Sequence, residues 1–346
     1  MTPEWLGGVY TRADVTVPLR PICDREGVRF VEGRAVALDR AAREVALEDG
    51  RRVGYDLVAF DVGAVNPGRG DADGAVWTKP LWRIEDLGRF LDEAAASGGG
   101  RLVIAGGGAA GVEVALNVTA RPDLAGLEVT VVEPGDRLGP GLPSRFGTWA
   151  ADVLRQRGAA LRLGARVEAA TGDGVRLATG EMLPADAVLW ATGSVGPPLL
   201  RHTGLAVTER GLARVDAGLR SVSDDRVFVA GDAAAVAGHE GLARVGVHAV
   251  KQGPVLRENV RQALRALAAG RGPGDAPHRL FRPYPVAPLL VSTGGPTAWW
   301  LAGPIALRSS LALRLKHAVD RRWIDRYRAG ASYDGRWDAR SASGRG

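Results

Sequence analysis

Three glycines and a glutamate have the spacing expected of a dinucleotide-binding site. Gly106, Gly108 and Gly111 form a G-x-G-x-x-G pattern directly after the apolar run "RLVIA", and Glu133 follows the last glycine by 22 residues. In such a site the first glycine permits a tight turn, the second lets a pyrophosphate approach the backbone, and the third packs a helix closely on a strand. The N–H groups of that helix then face the phosphates.

The acidic residue predicts which dinucleotide is bound. The Glu133 carboxylate is placed to accept hydrogen bonds from the ribose hydroxyls of adenosine and would repel a 2′-phosphate, so NADH is favoured over NADPH. Arg137, four residues later, weakens this preference. The residues expected to contact NAD are Gly106, Gly107, Gly108, Ala109, Ala110, Gly111 and Glu133. A tight strand-to-helix turn without a ligand is the alternative.

Alternating strand and helix patterns around this loop indicate an α/β protein. Short apolar runs that end in turn residues are typical of buried parallel strands; they are "RLVIAGG", "LEVTVVEP", "DAVLWATG" and "RVFVAGD". Segments with apolar residues three and four apart predict helices; they are "AAGVEVALNVTA", "RFGTWAADVLRQRG" and "GPVLRENVRQALRALAAG". Alternation around Asp49-Gly50 and Thr179-Gly180 predicts two antiparallel hairpins. Two hairpins, each followed by a buried strand ending in glycine, indicate two related nucleotide-binding units.

Composition narrows the class of protein. With 346 residues, 46% hydrophobic and 24% charged, the chain is long enough for two or three folded domains. Its one cysteine, Cys23, excludes a disulfide framework and a redox pair of cysteines, and indicates a reducing compartment. No apolar run reaches the roughly 18 residues that a membrane-spanning helix needs. We therefore expect a cytoplasmic protein, and no pattern supports a metal site or a nucleic-acid partner.

The positive charge is concentrated at the C-terminal end. Residues 307–346 carry ten Arg or Lys and four Asp, which accounts for the whole net charge of +6. Within them, the segment 309–328 places five large apolar residues at successive i+4 positions; they are Leu311, Leu315, Val319, Trp323 and Tyr327. This pattern predicts a basic amphipathic helix that lies on an anionic membrane surface. A packed terminal helix with a solvated basic face is the open alternative.

Two further segments are typical of a flavoprotein. The run "WATG", Trp190 to Gly193, follows the second hairpin, and "VFVAGDAAA", Val227 to Ala235, comes later. In the latter, Asp232 ends a strand beside a glycine, at the position where open α/β sheets bind ligands. Asp232 could there accept a hydrogen bond from a ribityl hydroxyl, and a helix N-cap is its alternative role.

The chain resembles the pyridine nucleotide-disulfide oxidoreductase superfamily over nearly its whole length, from "WLGGVY" to "AVDRRWIDRYR". The resemblance rests on five segments in this order: "GGGAAGVEVA", "VTVVEP", "DAVLWATG", "RVFVAGDAA" and "GVHAVKQGPVLRENV". It is most similar to NADH dehydrogenase-like flavoproteins without a redox disulfide, namely type II NADH:quinone oxidoreductases and the related module fused to selenide, water dikinase.

The resemblance implies roles for residues outside the glycine loop. Glu113 matches the helix acid near the nicotinamide and flavin rings, and Gln252 matches the segment that approaches the isoalloxazine and the quinone; both are predicted to be catalytic. A capping or solvated acid is the alternative for Glu113, and a packed histidine is favoured over a proton donor for His248. The resemblance implies that FAD contacts Gly63, Thr192, Gly193, Gly231, Asp232 and Gly253.

The resemblance also implies a domain layout of two Rossmann-like, three-layer domains, with the NAD domain inserted into the FAD domain. We assign 1–80 and 186–270 to the FAD-type domain and 81–185 to the NAD domain. The C-terminal region, 271–330, contains the basic helix, and 331–346 is predicted to be a disordered tail. The FAD domain is expected to be truncated, because no G-x-G-x-x-G precedes Gly106 to hold the FAD pyrophosphate. Flavin affinity is then weakened or lost, through a start codon placed too late or in a degenerate homologue.

The function implied is electron transfer from NADH through FAD to a small-molecule acceptor, a quinone, by a protein that lies peripherally on the inner face of the cell membrane. A homodimer is an open alternative to a monomer. A short-chain dehydrogenase is excluded, because none of the three lysines follows a tyrosine as Tyr-x-x-x-Lys. A non-catalytic NAD-binding or redox-sensing protein that has lost FAD remains open.

Overall fold

The computed structural model describes residues 1–66, the backbone of 75–77, and 83–328. The described α-helices are α1 Thr2–Leu6, α2 Arg12–Val15, α3 Leu19–Arg25, α4 Ile84–Ser97, α5 Ala109–Val118, α6 Ser144–Gln156, α7 Pro198–Arg201, α8 Gly246–Ala268 and α9 Ser310–Arg328. The predicted disordered tail, 331–346, lies outside the described residues.

The strands alternate with these helices along most of the chain. The described strands are β1 Ala35–Asp39, β2 Glu44–Leu47, β3 Arg52–Gly54, β4 Val58–Phe60, β5 Ala75–Trp77, β6 Gly100–Ala105, β7 Leu127–Glu133, β8 Ala160–Leu163, β9 Val167–Thr171, β10 Gly174–Leu177, β11 Met182–Pro184, β12 Ala187–Trp190, β13 Ala213–Val215, β14 Val227–Val229, β15 Ala234–Val236, β16 Leu289–Ser292, β17 Ala298–Ala302 and β18 Ile305–Ser309.

The chain divides into two compact units. Unit 1 contains 1–17, 65–194 and 286–325. Unit 2 contains 18–64 and 195–285 and resumes at Arg326. Unit 2 is therefore interrupted in sequence by the long middle segment of unit 1.

Unit 1 is built on a five-stranded parallel sheet with the order β5-β12-β6-β7-β8. Successive residues of β6 point to opposite faces. Leu102 and Ile104 pack in the core that contains buried residues of α4, α5 and α6. Val103 and Ala105 pack against Val175 and its neighbours in the antiparallel sheet β11-β10-β9. Helices, parallel sheet and antiparallel sheet form three layers, which explains why β6, β7 and β12 are apolar on both faces.

Two segments join unit 1 from the ends of the sequence. Leu6 of α1 is buried in the same core as Leu116 of α5, and so are Trp299 and Leu301 of β17. Strand β17 is the centre of the antiparallel sheet β16-β17-β18, which precedes α9. This division differs from the one drawn from the sequence, which assigned 1–17 to the flavin-type domain and 286–325 to a separate C-terminal region. The burial of α1 and β17 in one core depends on contacts between segments far apart in the sequence, which local sequence patterns do not predict.

Unit 2 contains short strands around the long helix α8. Strands β4 and β14 pair in parallel, β13 and β15 form a second parallel pair, and β1-β2-β3 is an antiparallel sheet. Phe60 of β4 and Val227 and Val229 of β14 lie in its core together with Val255 of α8. The carboxyl ends of β4 and β14 therefore lie side by side, as the ends of parallel strands do.

The α/β class and the predicted local elements are confirmed. The hairpin around Asp49-Gly50 is the antiparallel pair β2–β3, and the hairpin around Thr179-Gly180 is the pair β10–β11. The four apolar runs form β6, β7, β12 and β14, each in a parallel pair. The three predicted helices are α5, α6 and α8. The hairpins and helices agree with local periods of 2 and 3.6, and the four buried strands agree with continuous apolar runs.

Candidate nucleotide sites

The glycine loop, Gly106–Gly111, connects β6 to α5 and requires glycine at two positions. Gly106 has a φ of +115°, and a Cβ there would lie 2.8 Å from the carbonyl oxygen of Ala191. A Cβ on Gly111 would collide with the carbonyl oxygen of Gly106. Around Gly108, in contrast, a Cβ would meet no atom within 4 Å. The backbone of the loop is therefore packed tightly at both ends and open at Gly108, where a phosphate group can approach.

The start of α5 presents its N–H groups at this open position. Gly108 is the N-cap, and Ala109 and Ala110 begin the first turn. The first N–H groups of a helix have no acceptor within the helix and carry a partial positive charge. Such N–H groups can bind an anion, and the contact with the NAD pyrophosphate expected here stays a prediction.

Glu133 fixes the loop from the end of the neighbouring strand β7. Its Oε2 accepts the N–H of Gly107 at 2.7 Å, and its Oε1 accepts the N–H of Gly135 at 2.9 Å. The carboxylate is buried and is held at the carboxyl edge of the sheet. The sequence predicted a ribose acceptor here; the structure adds a second role, because the same carboxylate holds the glycine loop in place.

Arg137 is engaged with the backbone of the turn that follows. Its Nη1 donates to the carbonyl oxygen of Gly139 at 3.2 Å, and its Nη2 donates to that of Leu142 at 3.1 Å. A guanidinium that binds carbonyl oxygens of its own turn has fewer donors left for a 2′-phosphate. These contacts make Arg137 a weaker candidate for binding a 2′-phosphate, and the preference for NADH stays a prediction.

Thr192 and Gly193 follow β12, which is the other neighbour of β6 in the sheet. Asn66 donates to the carbonyl oxygen of Thr192 at 2.6 Å. The Thr192 hydroxyl is buried and has no hydrogen-bond partner among the described residues. These residues share the carboxyl edge of the sheet with the glycine loop and Glu133. Their sequence assignment to FAD is not tested by these contacts and stays a prediction.

Unit 2 has its own polar cleft at the ends of β4 and β14. Gly231, just after β14, has a φ of +67°, and a Cβ there would lie 2.8 Å from Oδ1 of Asp61. Gln252 of α8 is buried, and its Oε1 accepts the N–H of Gly231 at 2.6 Å. We call the space beside this turn the AGD cleft; its lining residues include Gly231, Asp232, Arg244, His248 and Gln252.

His248 brings an unsatisfied polar atom to the AGD cleft. Its side chain is buried, and Nδ1 lies 3.0 Å from the carbonyl oxygen of Ala243. Its Nε2 is buried and has no hydrogen-bond partner among the described residues. This agrees with the sequence interpretation of His248 as a packed histidine, but it leaves one ring nitrogen for a ligand.

Two carboxyl groups lie near each other in unit 2. Burial, and then the charge of Asp232, raise the pKa of Asp61 above its ordinary value. Sequence reasoning identified Asp232 and missed Asp61. Asp61 follows β4 in a segment that was matched to the family as a whole, so its side chain was not considered separately. A carboxyl at this position adds negative charge to a cleft that is expected to face a phosphorylated cofactor.

Glu113, predicted to be catalytic, belongs to a buried ion cluster formed by Glu4, Glu113, Lys316 and Asp320. The Lys316 ammonium lies 3.1 Å from Glu4, 3.4 Å from Asp320 and 3.7 Å from Glu113. Glu113 Oε1 also accepts the N–H of Ser292 at 2.8 Å. Burial raises the pKa of Glu113, and the charge of Lys316 opposes that shift. These contacts favour a structural role for Glu113 over contact with a reacting ring.

The cluster holds α9 on unit 1. Burial alone would lower the pKa of Lys316, but Glu113, Asp320 and Glu4 together raise it above its ordinary value. Glu4 is also 2.8 Å from Nε2 of His317. Helix α9 therefore packs on unit 1 through the face that contains Lys316, although that face is charged.

The apolar stripe of α9, defined as Leu311, Leu315 and Val319, is exposed. The three side chains are 71%, 44% and 38% accessible, whereas Ala312, Lys316 and Ile324 are the buried residues of this helix. Trp323 and Tyr327, which the sequence placed on the same stripe, are half-buried. None of the described helices combines the length and hydrophobicity needed to cross a membrane. Nor do the described residues bring three or more His, Cys, Asp or Glu together as metal ligands.

The parallel sheet and the glycine loop at the start of α5 define unit 1 as a dinucleotide-binding domain of the Rossmann type. The chain belongs to the family described as pyridine nucleotide-disulphide oxidoreductase, which matches residues 24–263. This family binds FAD and NAD(H), the two cofactors predicted from the sequence.

Relatives of known activity resemble the chain in part. It is 30% identical over 227 residues to the ferredoxin–NAD(+) reductase component of the p-cumate 2,3-dioxygenase system of Pseudomonas putida, covering 64% of this chain and 54% of the relative. It is 30% identical over 115 residues to the type II NADH:quinone oxidoreductase of Haemophilus influenzae, covering 33% of this chain and 26% of the relative. The chain thus spans about half the length of the first of these relatives and about a quarter of the second.

A solved structure shares the fold. The sulfide:quinone oxidoreductase of Aquifex aeolicus aligns with a TM-score of 0.71 and 18% identity over 95% of this chain and 82% of that structure. At this identity the likeness concerns the fold alone.

The AGD cleft offers polar groups but little space. A Cβ on Gly231 would lie 2.8 Å from Oδ1 of Asp61, and the buried Nε2 of His248 has no hydrogen-bond partner among the described residues. Backbone N–H groups in a glycine turn commonly bind a pyrophosphate, and the single G-x-G-x-x-G of the sequence is in unit 1. Unit 2 therefore offers the FAD diphosphate no comparable loop, and the contacts of FAD with Gly231 and Asp232 stay a prediction.

Proposed function

We propose that this protein is a flavin-dependent NADH oxidoreductase that passes electrons to a small-molecule acceptor, a quinone. One observation carries the proposal: each unit places ligand-facing polar atoms at the carboxyl ends of its parallel strands. In unit 1 they belong to the glycine loop and Glu133; in unit 2 they belong to the AGD cleft. Ligands of open α/β sheets bind at this edge.

Unit 1 would hold NADH through three features. The first turn of α5 receives the pyrophosphate at the open position beside Gly108. Glu133, already fixed by the N–H groups of Gly107 and Gly135, keeps lone pairs for ribose hydroxyls. Its negative charge and the engagement of Arg137 with carbonyl oxygens disfavour the 2′-phosphate of NADPH.

Unit 2 would hold the flavin. Asp232 accepts hydrogen bonds from ribityl hydroxyls, Gln252 fixes the turn at Gly231, and Gly63 and Gly253 leave space beside the backbone. When bound, a flavin accepts hydride from the nicotinamide and passes the electrons on singly or in pairs. The chain's own part is to orient the ring, exclude water and hold polar groups against its edge.

The exposed stripe of α9 supports an acceptor in a membrane. Leu311, Leu315 and Val319 present apolar surface to solvent, and Arg308, Arg314, Arg321 and Arg322 lie nearby in the sequence. A helix of this composition binds an anionic lipid surface with its apolar side in the acyl boundary. Because quinones reside in membranes, a protein bound to the membrane through α9 would lie close to such an acceptor. Sedimentation with anionic vesicles tests this, and a second copy covering the stripe would appear instead as a dimer without lipid.

The direct test is purification and assay. We expect flavin absorption bands to accompany the protein, or to appear after incubation with FAD, and NADH oxidation to require a soluble quinone. Glu133→Ala should weaken NADH binding while the flavin bands remain. A colourless protein that takes up no flavin but still binds NADH would overturn the proposal. Activity with ferricyanide and with no quinone would overturn the choice of acceptor.

A non-catalytic NAD-binding protein is the second candidate. It is favoured by the proximity of the carboxyl groups of Asp61 and Asp232 and by the absence of a glycine loop from 1–66. The two candidates share unit 1 and differ in whether unit 2 binds flavin, which the same purification decides.

A further inference from the structure

The turn between β7 and α6, residues 135–142, contacts the middle of the glycine loop. Within this turn, the N–H of Gly139 donates to the carbonyl oxygen of Gly107 at 2.8 Å. The N–H of Gly107 in turn donates to Oε2 of Glu133 at 2.7 Å. Both backbone groups of Gly107 are therefore bound, one by the last residue of β7 and the other by the 135–142 turn that follows it.

Close packing adds to these two hydrogen bonds. Leu138 of the 135–142 turn is fully buried. A Cβ on Gly107 would lie 2.8 Å from Cδ2 of Leu138 and 2.9 Å from Cβ of Glu133, so these two side chains enclose the glycine. The next residue is Gly108, the open position at the start of α5. A displacement of the turn would therefore be transmitted through Gly107 to the N–H groups of the first helical turn.

Arg137 ties the 135–142 turn together. The turn lies between the end of β7 and the start of α6 and belongs to neither. The Arg137 guanidinium donates to three carbonyl oxygens of the turn, those of Leu138 at 3.5 Å, Gly139 at 3.2 Å and Leu142 at 3.1 Å. A Cβ on Gly147 of α6 would lie 3.5 Å from Nη1, so the guanidinium also lies against that helix. One planar cation thus fixes both the residue that binds Gly107 and the far end of the turn.

We infer that Arg137 is a positioning residue for the dinucleotide: it holds the 135–142 turn against Gly107 and thereby fixes the N–H groups that receive the pyrophosphate. This inference rests on the proposed binding of NADH in unit 1 and adds a residue that acts through the backbone without touching the ligand. NADH and NADPH share the pyrophosphate. Arg137 therefore supports the binding of both dinucleotides to the same extent and does not select between them.

Titration with NADH tests the inference, because NADH has no 2′-phosphate that Arg137 could bind directly. Binding to the full chain is measured by NADH fluorescence, and binding of NADPH by its displacement of NADH. Arg137→Met keeps an apolar stem without the guanidinium and should weaken the binding of each dinucleotide about tenfold, as loss of one or two hydrogen bonds would. The ratio of the two affinities should not change. Arg137→Lys should restore only part of the affinity, because a compact ammonium group cannot span the carbonyl oxygens of Gly139 and Leu142 together.

Arg145→Met is the matched control, since Arg145 is an exposed arginine in the first turn of α6, and it should bind both dinucleotides as wild type does. Urea unfolding of each variant accompanies the titrations. If Arg137→Met lowers the free energy of unfolding but leaves the Kd of the folded protein for NADH unchanged, Arg137 stabilises only the fold and the inference is wrong. Should that variant not fold, an unchanged Kd in Arg137→Lys overturns the inference instead.

A loss of affinity confined to NADPH would identify Arg137 as a ligand of the 2′-phosphate and would also refute its positioning role. In each of these cases the wild-type protein still binds NADH, so the proposed function stands. If the wild-type protein binds no NADH, the proposed function fails together with the inference.

Discussion

Replacing Lys316 by methionine should destabilise unit 1 strongly, because it removes the ammonium group that lies near all three carboxylates of the ion cluster and leaves only the N-terminal ammonium of Met1, 3.7 Å from Asp320. Lys316 is 7% exposed and Glu4 is fully buried, so neither charge can be solvated in place. Methionine keeps most of the length of the lysine stem and removes only the ammonium group. The variant therefore isolates the electrostatic part of the docking of α9.

The magnitude follows from burial. Removing one partner of a buried ion pair costs about 3–5 kcal/mol, since the remaining charge stays desolvated and unpaired. The matched control is Arg12→Met, which breaks the ion pair with Glu85 in the same unit at an N···O distance of 2.8 Å. That pair is 64% and 41% exposed, and exposed pairs contribute about 0–1 kcal/mol. Loss of the shorter, exposed Arg12–Glu85 pair should therefore lower the free energy of unfolding less than loss of the longer, buried Lys316–Glu4 pair.

Tryptophan fluorescence during urea unfolding is a suitable assay. The segments 18–64 and 195–285 of unit 2 contain no tryptophan, whereas Trp5, Trp149 and Trp299 lie in unit 1. Eight of the nine tryptophans belong to the segments of unit 1, and the ninth is Trp337 of the C-terminal segment, so fluorescence reports mainly unit 1 and circular dichroism follows both units. If Lys316→Met lowers the free energy of unfolding no more than Arg12→Met does, the cluster does not stabilise the docking of α9 through buried charges.

The pH dependence gives a second signature. Burial raises the pKa of Glu113 above its ordinary value of 4.5, so its native state retains a proton more readily than the unfolded state. A group with a raised pKa contributes stability that is present below the ordinary value and is lost as the pH rises through the raised one. Without Lys316 this loss is opposed only by the hydrogen bond from the N–H of Ser292 and by the charge of the N-terminal ammonium. The difference in stability between wild type and Lys316→Met should therefore be small at acidic pH and grow towards neutral pH.

Three further predictions concern the loop, a buried phenol and the surface of α9. Gly108→Ala should weaken NADH binding by tenfold or more and leave the free energy of unfolding unchanged within about 0.5 kcal/mol. Gly111→Ala should instead lower the free energy of unfolding by about 1–3 kcal/mol through overpacking. The reverse pattern in NADH titration and urea unfolding would contradict the loop geometry. Burial and the nearby Glu4 raise the pKa of Tyr10 to about 12, and burial also raises the pKa of Tyr55. Absorbance titration should therefore show a phenolate forming near pH 12 that Tyr10→Phe removes and Tyr55→Phe does not, and a titration curve that Tyr10→Phe leaves unchanged near pH 12 would contradict this. Leu311→Ser with Leu315→Ser should abolish sedimentation with anionic vesicles and leave unfolding unchanged, because both side chains are exposed; undiminished binding would exclude the stripe as the contact.

The sequence predicts the elements of the fold well where the signal is local. Strands β6 and β7 follow from continuous apolar runs, the two hairpins follow from a period of 2, and the strand-to-helix turn follows from the φ that Gly106 must adopt. The carboxyl-edge position of Glu133 follows as well, since parallel neighbouring strands end at the same edge.

Contacts across the sequence are not predictable in this way. Glu4 and Lys316 meet across more than 300 positions, and the burial of α1 and β17 in one core sets the division into units. The orientation of α9 shows the same limit. Its large apolar residues predict a helix that lies on a membrane, with a packed helix as the alternative; the ion cluster decides which face docks on unit 1, and the stripe at Leu311 is left in solvent. Asp61 and the free nitrogen of His248 also become visible only when the ends of β4, β14 and α8 are brought together.

The most direct test of the account is anaerobic addition of NADH to the flavin-loaded protein, followed by the visible flavin absorbance. If unit 1 binds NADH and unit 2 binds flavin as partners in one reaction, stoichiometric NADH should bleach the flavin band, and addition of a soluble quinone should restore it. Glu133→Ala should slow the bleaching at low NADH concentration. A flavin band that stays unchanged at saturating NADH would contradict the account.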